Sequence, residues 1–206
     1  MSKFVINGGN KLYGEYTLQS AKNSVLPLIA SVILYNNEVT LKNVKKLTDI
    51  VTMCELFKGL GGKYRFENGD LILNPCNIYQ NVLSENLSKT IRSSFFMTGA
   101  LLTKFKKAKM VFPGGCNIGL RPIDAHIDGL LQLGVDVKFD NQYINFYSKK
   151  IVGKKVHLSF PSVGATENLI MASIFCDGFV RLCNVVCNVT LIWEQYGPRN
   201  HRVRIR

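Results

Sequence analysis

Residues 60–73 read Leu60-Gly61-Gly62-Lys63-Tyr64-Arg65-Phe66-Glu67-Asn68-Gly69-Asp70-Leu71-Ile72-Leu73, and 73 positions later comes Leu133-Gly134-Val135-Asp136-Val137-Lys138-Phe139-Asp140-Asn141-Gln142-Tyr143-Ile144-Asn145-Phe146. Both stretches predict a helix end closed by glycine and then a hairpin. Gly61 and Gly134 supply the left-handed residue that stops a helix. Glu67-Asn68-Gly69-Asp70 and Asp140-Asn141-Gln142 are turn chemistry between short strands. Upstream, Ile50, Val51, Cys54, Phe57 and Leu60 trace one apolar stripe, as do Ile123, Ile127, Leu130 and Leu131, so each hairpin follows an amphipathic helix.

A second echo joins Val39-Thr40-Leu41-Lys42-Asn43-Val44 to Val180-Arg181-Leu182-Cys183-Asn184-Val185. Each follows a helix rich in small residues, around Ala21 to Leu34 and Ala165 to Cys176. A unit of roughly 70 residues, ordered helix, strand, helix, hairpin, thus begins three times, which predicts repeated packing about a shared core. The third copy lacks its second helix and hairpin. Residues 187–206 carry the chain's only Trp and an arginine-rich end instead. That composition fits an out-of-frame end, with a genuine basic extension as the alternative. An unfinished third unit predicts apolar helix surface left uncovered.

The totals bound the function classes. A chain of 206 residues, 47% hydrophobic, can furnish a core, and 19% charged residues without a low-complexity stretch argue against disorder. The start lacks the apolar core of a signal peptide, and no apolar run approaches the roughly 20 residues of a membrane helix. A cytoplasmic location without membrane insertion is expected. The six cysteines, Cys54, Cys76, Cys116, Cys176, Cys183 and Cys187, are then expected as thiols. Cys183 and Cys187 have no second Cys/His pair at zinc-ligand spacing, so neither metal nor cofactor is expected. The charge of +12 favours anionic partners. Lys104, Lys106, Lys107 and Lys109 read as a solvated turn, and no zinc finger or RNP-like run accompanies them, so nucleic acid is not expected.

The most informative stretch is Phe112-Pro113-Gly114-Gly115-Cys116-Asn117-Ile118-Gly119-Leu120-Arg121-Pro122-Ile123-Asp124-Ala125-His126. Its three glycines let backbone approach a ligand, and Pro122 starts a helix with Asp124 in its first turn. Cys116 sits near Arg121 and a helix start, surroundings that lower a thiol pKa.

Pro113 to Asp124 closely resembles the cysteine loop of UDP-N-acetylglucosamine 1-carboxyvinyltransferases, enolpyruvyl transferases of peptidoglycan synthesis. Ser20-Ala21-Lys22-Asn23-Ser24 resembles the family's Lys-Asn motif, Ile91-Arg92-Ser93-Ser94 its arginine turn, and Ser162-Val163-Gly164-Ala165-Thr166 its third-unit loop. The resemblance runs in order from about residue 3 to about residue 185.

That resemblance implies an α/β (α+β) fold, an inside-out α/β barrel domain with central helices and outward sheets. It also implies transfer of enolpyruvyl from phosphoenolpyruvate to the 3-hydroxyl of UDP-N-acetylglucosamine with release of phosphate. Cys116 would be the acid that protonates the enol carbon, and the position alkylated by fosfomycin. Lys22, Arg92 and Arg121 would surround the anionic substrates, and Asn23 would contact the sugar nucleotide. Arg121, Pro122, Ile123, Asp124 and Ala125 with Ser162, Val163 and Gly164 would hold the uridine and diphosphate. A positioned acid and fixed cations are what oxocarbenium chemistry on an enol phosphate requires. His126 and Asp128 read as ordinary helix residues.

Family members are about twice this length, with the site between two domains. The implied division is residues 1–20, which would pack with the other domain, an incomplete domain over 21–186, and the atypical tail over 187–206. Alone, the chain is expected to be inactive, with a complementary C-terminal fragment as a partner. Rival readings are a non-catalytic remnant that binds a full-length homologue, and a piece of the shikimate-pathway enolpyruvyl transferase.

Overall fold

The computed structural model describes residues 3–11, 13–15, 20–113 and 123–186, with the backbone of 203–205. In chain order the elements are α1 (Lys22–Ser31), a 3-10 turn (Val32–Leu34), β1 (Val39–Leu41), α2 (Thr48–Gly59), β2 (Lys63–Glu67), β3 (Asp70–Asn74) and α3 (Glu85–Ser88). There follow a 3-10 helix (Arg92–Phe96), α4 (Met97–Phe105), β4 (Lys107–Val111), α5 (Asp124–Gln132), β5 (Asp136–Asp140), β6 (Tyr143–Tyr147), β7 (Lys155–His157), α6 (Val163–Ser173), β8 (Val180–Cys183) and β9 (Val203–Ile205).

Both quoted stretches form hairpins. β2 pairs antiparallel with β3 and β5 with β6, each closing on a left-handed asparagine, Asn68 at φ 51° and Asn141 at φ 48°. The preceding helices end at left-handed Gly61 and Gly134. The first two sheets share one strand order, β1-β3-β2 and β4-β6-β5. In each, one face is apolar and packed inward, while side chains such as Lys63, Arg65 and Lys138 face water. The third sheet differs. β7 and β8 run parallel, as expected of strands joined through a crossover helix, and β9 lies parallel on the other side of β8. The equivalent edges of β1 and β4 are instead occupied by the antiparallel β3 and β6.

α1, α4 and α6 form the interior. α4 and α6 run side by side in one direction: Gly99 N donates to Asn168 Oδ1 at 2.7 Å, and one turn later Thr103 Oγ1 reaches the carbonyls of Met171 and Ala172 at 2.8 and 3.0 Å. Lys104 at the end of α4 donates to the Ile33 carbonyl, just past the end of α1, so α1 points the same way. The helices meet closely because Gly99 has no side chain; a Cβ there would stand 2.6 Å from Asn168 Oδ1 and closer still to the Asn168 carbonyl.

Three expectations change. The composition of residues 85–104 suits one continuous helix, yet the helix is broken at residues 89–91, where Ile91 is extended. Thr90 Oγ1 donates to the Leu87 carbonyl and Ser94 Oγ to the Ile91 carbonyl, each beside the same residue's backbone N–H, so hydroxyl and short i to i−3 bonds close the chain around the break. Leu131 leaves its stripe and is half exposed, whereas Leu130 is fully buried. The uncovered helix surface expected in the third unit is not found on α6, whose residues 165–173 are all buried beside α4, α5, α1 and the 3-10 helix. Among the described residues, Cys54, Cys76, Cys176 and Cys183 are free thiols, no helix is long and apolar enough to cross a membrane, and no metal-ligating cluster is found.

Candidate functional site

Because the three interior helices point the same way, their N-terminal ends gather at one end of the domain. α1 begins at Lys22, the 3-10 helix leading into α4 begins at Arg92, and α6 begins just after Ser162. α5 brings a fourth N-terminus to the same place: its third residue, His126, meets both Asn168 of α6 and the Phe95 ring, whose centroid is 4.9 Å away. Each start presents N–H groups without helical partners and the positive end of a dipole, so the end as a whole favours an anion. Among the described residues no side chain caps α1 or α5.

Most of the residues singled out in the sequence assemble here. Lys22 and Asn23 are exposed on the first turn of α1, and Lys22 Nζ is 2.6 Å from Asp49 Oδ2 of α2. With both side chains about 40% exposed, that pair orients the lysine more than it stabilises the fold. Arg92 lies near enough to His126 to depress its basicity. Ile123 is buried as the N-cap residue of α5, Asp124 is exposed in its first turn, and Ala125 is buried beneath it. Ser162 is the N-cap of α6, its Oγ accepting from Ala165 N at 3.3 Å. Val163 and Gly164, read as loop or site residues, already belong to the helix's first turn. Cys116, Arg121 and Pro122 lie outside the described residues; the segment that carries them joins β4 to α5. Next to that segment, Phe112 stacks on Phe139 with centroids 6.0 Å apart.

Two polar groups at this end were not anticipated. His126, read as an ordinary helix residue, is 6% exposed, and burial together with the nearby Arg92 pushes it down to about 3, so it is neutral. Glu167, in the second turn of α6, is 5% exposed, and burial raises its carboxyl to about 7. No hydrogen bond or ion pair holds it among the described residues. Helical periodicity could flag His126 as inward-facing, but its partner Asn168 is 42 positions away, beyond any local signal.

A model of the EPSP synthase (3-phosphoshikimate 1-carboxyvinyltransferase) family matches residues 6–191. The chain belongs to that family. It is 41% identical over 184 residues to UDP-N-acetylglucosamine 1-carboxyvinyltransferase 2 of Caldanaerobacter subterraneus subsp. tengcongensis, covering 89% of this chain and 44% of the relative. It is also 41% identical over 180 residues to UDP-N-acetylglucosamine 1-carboxyvinyltransferase 1 of Clostridium acetobutylicum, covering 86% and 43%. The chain therefore spans less than half the length of the curated relatives it matches. Among solved structures, the enolpyruvyl transferase NikO from Streptomyces tendae superposes with a TM-score of 0.69 over 83% of this chain and 40% of that one. At 16% identity that likeness speaks for the fold alone, which is that of the enolpyruvyl transferases.

Proposed function

We propose that the chain supplies the sugar-nucleotide wall of an enolpyruvyl transferase that moves enolpyruvyl from phosphoenolpyruvate to the 3-hydroxyl of UDP-N-acetylglucosamine, releasing phosphate for peptidoglycan synthesis. The observation that carries this reading is the gathering of Lys22, Asn23, Arg92, Ile123 to Ala125 and Ser162 to Gly164 at one end of a family domain whose curated relatives bear that activity's name. Four helix starts and two side-chain cations suit a ligand with a diphosphate. Lys22 and Arg92 are charge clamps, while the short side chains at Ser162 and Gly164 let backbone donors come close.

Cys116, carried by the segment between β4 and α5, is proposed as the acid that protonates the enol carbon, with Arg121 and Pro122 at the nucleotide. Residues 1–20 are proposed to pack with a second domain, and residues 187–206 to be foreign to the domain's own unit. Holding both reactants in attack geometry needs walls on both sides of the cleft. These 206 residues alone are therefore expected to bind nucleotide sugar weakly and to give no turnover.

Calorimetry on the chain with UDP-N-acetylglucosamine and, separately, with shikimate 3-phosphate tests the branch. The reading expects binding to the first and none to the second; the reverse preference assigns the chain to the shikimate enzyme. A phosphate-release assay with both substrates, with and without a polypeptide matching the relatives' remaining length, tests whether turnover needs a complementary part.

A further inference from the structure

The interior helices, which start at one end of the domain, stop together at the other. There α6 ends at Ser173, and the chain turns through Phe175-Cys176-Asp177-Gly178-Phe179 into β8. Backbone bonds fix this turn. Cys176 N donates to the Ser173 carbonyl at 3.1 Å, Asp177 N to the Ile151 carbonyl at 3.2 Å, and Gly153 N to the Asp177 carbonyl at 2.6 Å. Gly178 takes a left-handed φ of 89°, and Gly153 lies so close under the turn that a Cβ there would stand 2.5 Å from Phe179 N.

The braced turn holds two phenylalanines out in solvent. Phe175 is 49% and Phe179 67% exposed, and Val152, bridged to Asp177, is 46% exposed. Each ring so displayed forgoes the gain of burial. Exposed lysines surround the rings. Lys149, Lys150 and Lys154 flank Val152 in sequence, and the 2.8 Å bond from Ser148 N to the Lys106 carbonyl brings Lys106 and Lys107 alongside. Among the described residues the acids here are Asp177, which pairs with Lys150, and Asp136, aligned in register with Tyr147 and through it with Lys107. Five lysines against two acids leave this end cationic.

We propose that this end is a peripheral docking surface for an anionic phospholipid membrane, with Phe175 and Phe179 entering the headgroup layer and the surrounding lysines facing lipid phosphates. Charge complementarity selects the occupant. A second copy would set like charges against like. Nucleic acid is read by arginine forks and flat stacking platforms, whereas the cations around this projecting turn are all lysines, compact charges suited to a diffuse layer of phosphates. Lysines ringing exposed aromatics are the pattern of interfacial anchoring. Among the described residues no helix is long and apolar enough to cross a membrane, so the contact is peripheral. α6, 11 residues and so about 16 Å long, separates the docked end from the helix starts, which stay open to water. Nothing in this docking depends on what the helix starts bind.

Co-sedimentation of the full chain with vesicles of phosphatidylglycerol and phosphatidylcholine in equal parts, against phosphatidylcholine alone, tests the proposal. Binding is expected to the first and not to the second. A charge of +12 would by itself favour that result, so the deciding variants keep every charge. Phe175→Ser combined with Phe179→Ser should weaken binding to the mixed vesicles about tenfold or more, the loss of two inserted rings. Phe139→Ser, which removes a ring 58% exposed beside the turn between β5 and β6, should leave it unchanged. In a Trp193→Phe background, Phe179→Trp should lose fluorescence to brominated phosphatidylcholine in the mixed vesicles.

Equal binding by the double variant and the parent, equal binding to phosphatidylcholine alone, or an unquenched tryptophan overturns the inference and leaves the proposed function standing. Self-association without lipid that the double variant abolishes makes this end a contact between copies and overturns it too. So does binding to duplex DNA that is tighter than to vesicles and equally dependent on the two rings. If the double variant does not fold, the tryptophan quenching decides.

Discussion

Gly99→Ala tests whether the close parallel contact of α4 and α6 aligns the helix starts. The added Cβ would stand 2.6 Å from Asn168 Oδ1 and 3.1 Å from Ala172 N, where ordinary contact begins at 3.4 Å. Relief of the Oδ1 clash alone requires a displacement of about 0.8 Å. That would stretch the 2.7 Å bond from Gly99 N to about 3.5 Å, beyond useful hydrogen-bond length. Overpacking a core costs about 1–3 kcal/mol and an unmet buried polar group about 1–3 kcal/mol, against about 1 kcal/mol gained in helix propensity. The net expectation is a loss of about 3 kcal/mol in urea unfolding. Gly59→Ala is the control: Gly59 is helical, a Cβ there meets nothing within 4 Å, and the change should be neutral or stabilising by up to about 1 kcal/mol. Equal stability of Gly99→Ala and the parent, with unchanged amide shifts at Asn168, would refute the packing argument.

The buried acid and the buried base should leave opposite marks on stability against pH. Glu167 keeps its proton in the folded state up to about 7 while the unfolded chain loses it near 4.5, so stability falls as pH rises across that window. Glu167→Gln should remove that fall, of order 1–3 kcal/mol, in urea melts compared at pH 5 and pH 8. His126, held near 3 against an ordinary 6.5, does the reverse: folding is favoured above 6.5 and loses that contribution as pH falls toward 3, a slope absent from His126→Phe. Ser162→Ala removes the one side-chain cap seen among the site helices and should cost about 1 kcal/mol, read as a lowered unfolding midpoint.

How much of this was legible in the sequence depended on whether the signal was local. Asn68-Gly69, Asn141, Gly61 and Gly134 announce their turns because each position needs a backbone conformation that few residues tolerate. The motif residues Lys22, Arg92 and Ser162 could be picked out one by one, but not brought together, because their meeting depends on three helices sharing a direction. That direction is set by contacts such as Gly99 to Asn168, 69 positions apart. Glu167 and His126 were missed for the same reason: a polar residue on a helix reads as solvated unless the neighbours that surround it are known. The break at Ile91 was hidden by a stretch whose composition suits a continuous helix, and only the hydroxyl bonds of Thr90 and Ser94 reveal it.

The central claim is that nucleotide sugar binds where the helix starts converge. Hydrogen–deuterium exchange on the full chain, with and without saturating UDP-N-acetylglucosamine, tests it most directly. Slowed exchange is predicted in peptides spanning residues 20–26, 123–127 and 162–166, with the hairpin at residues 63–74 unchanged. Protection confined to that hairpin or to the outer faces of the sheets, with the helix starts unaffected, would contradict it.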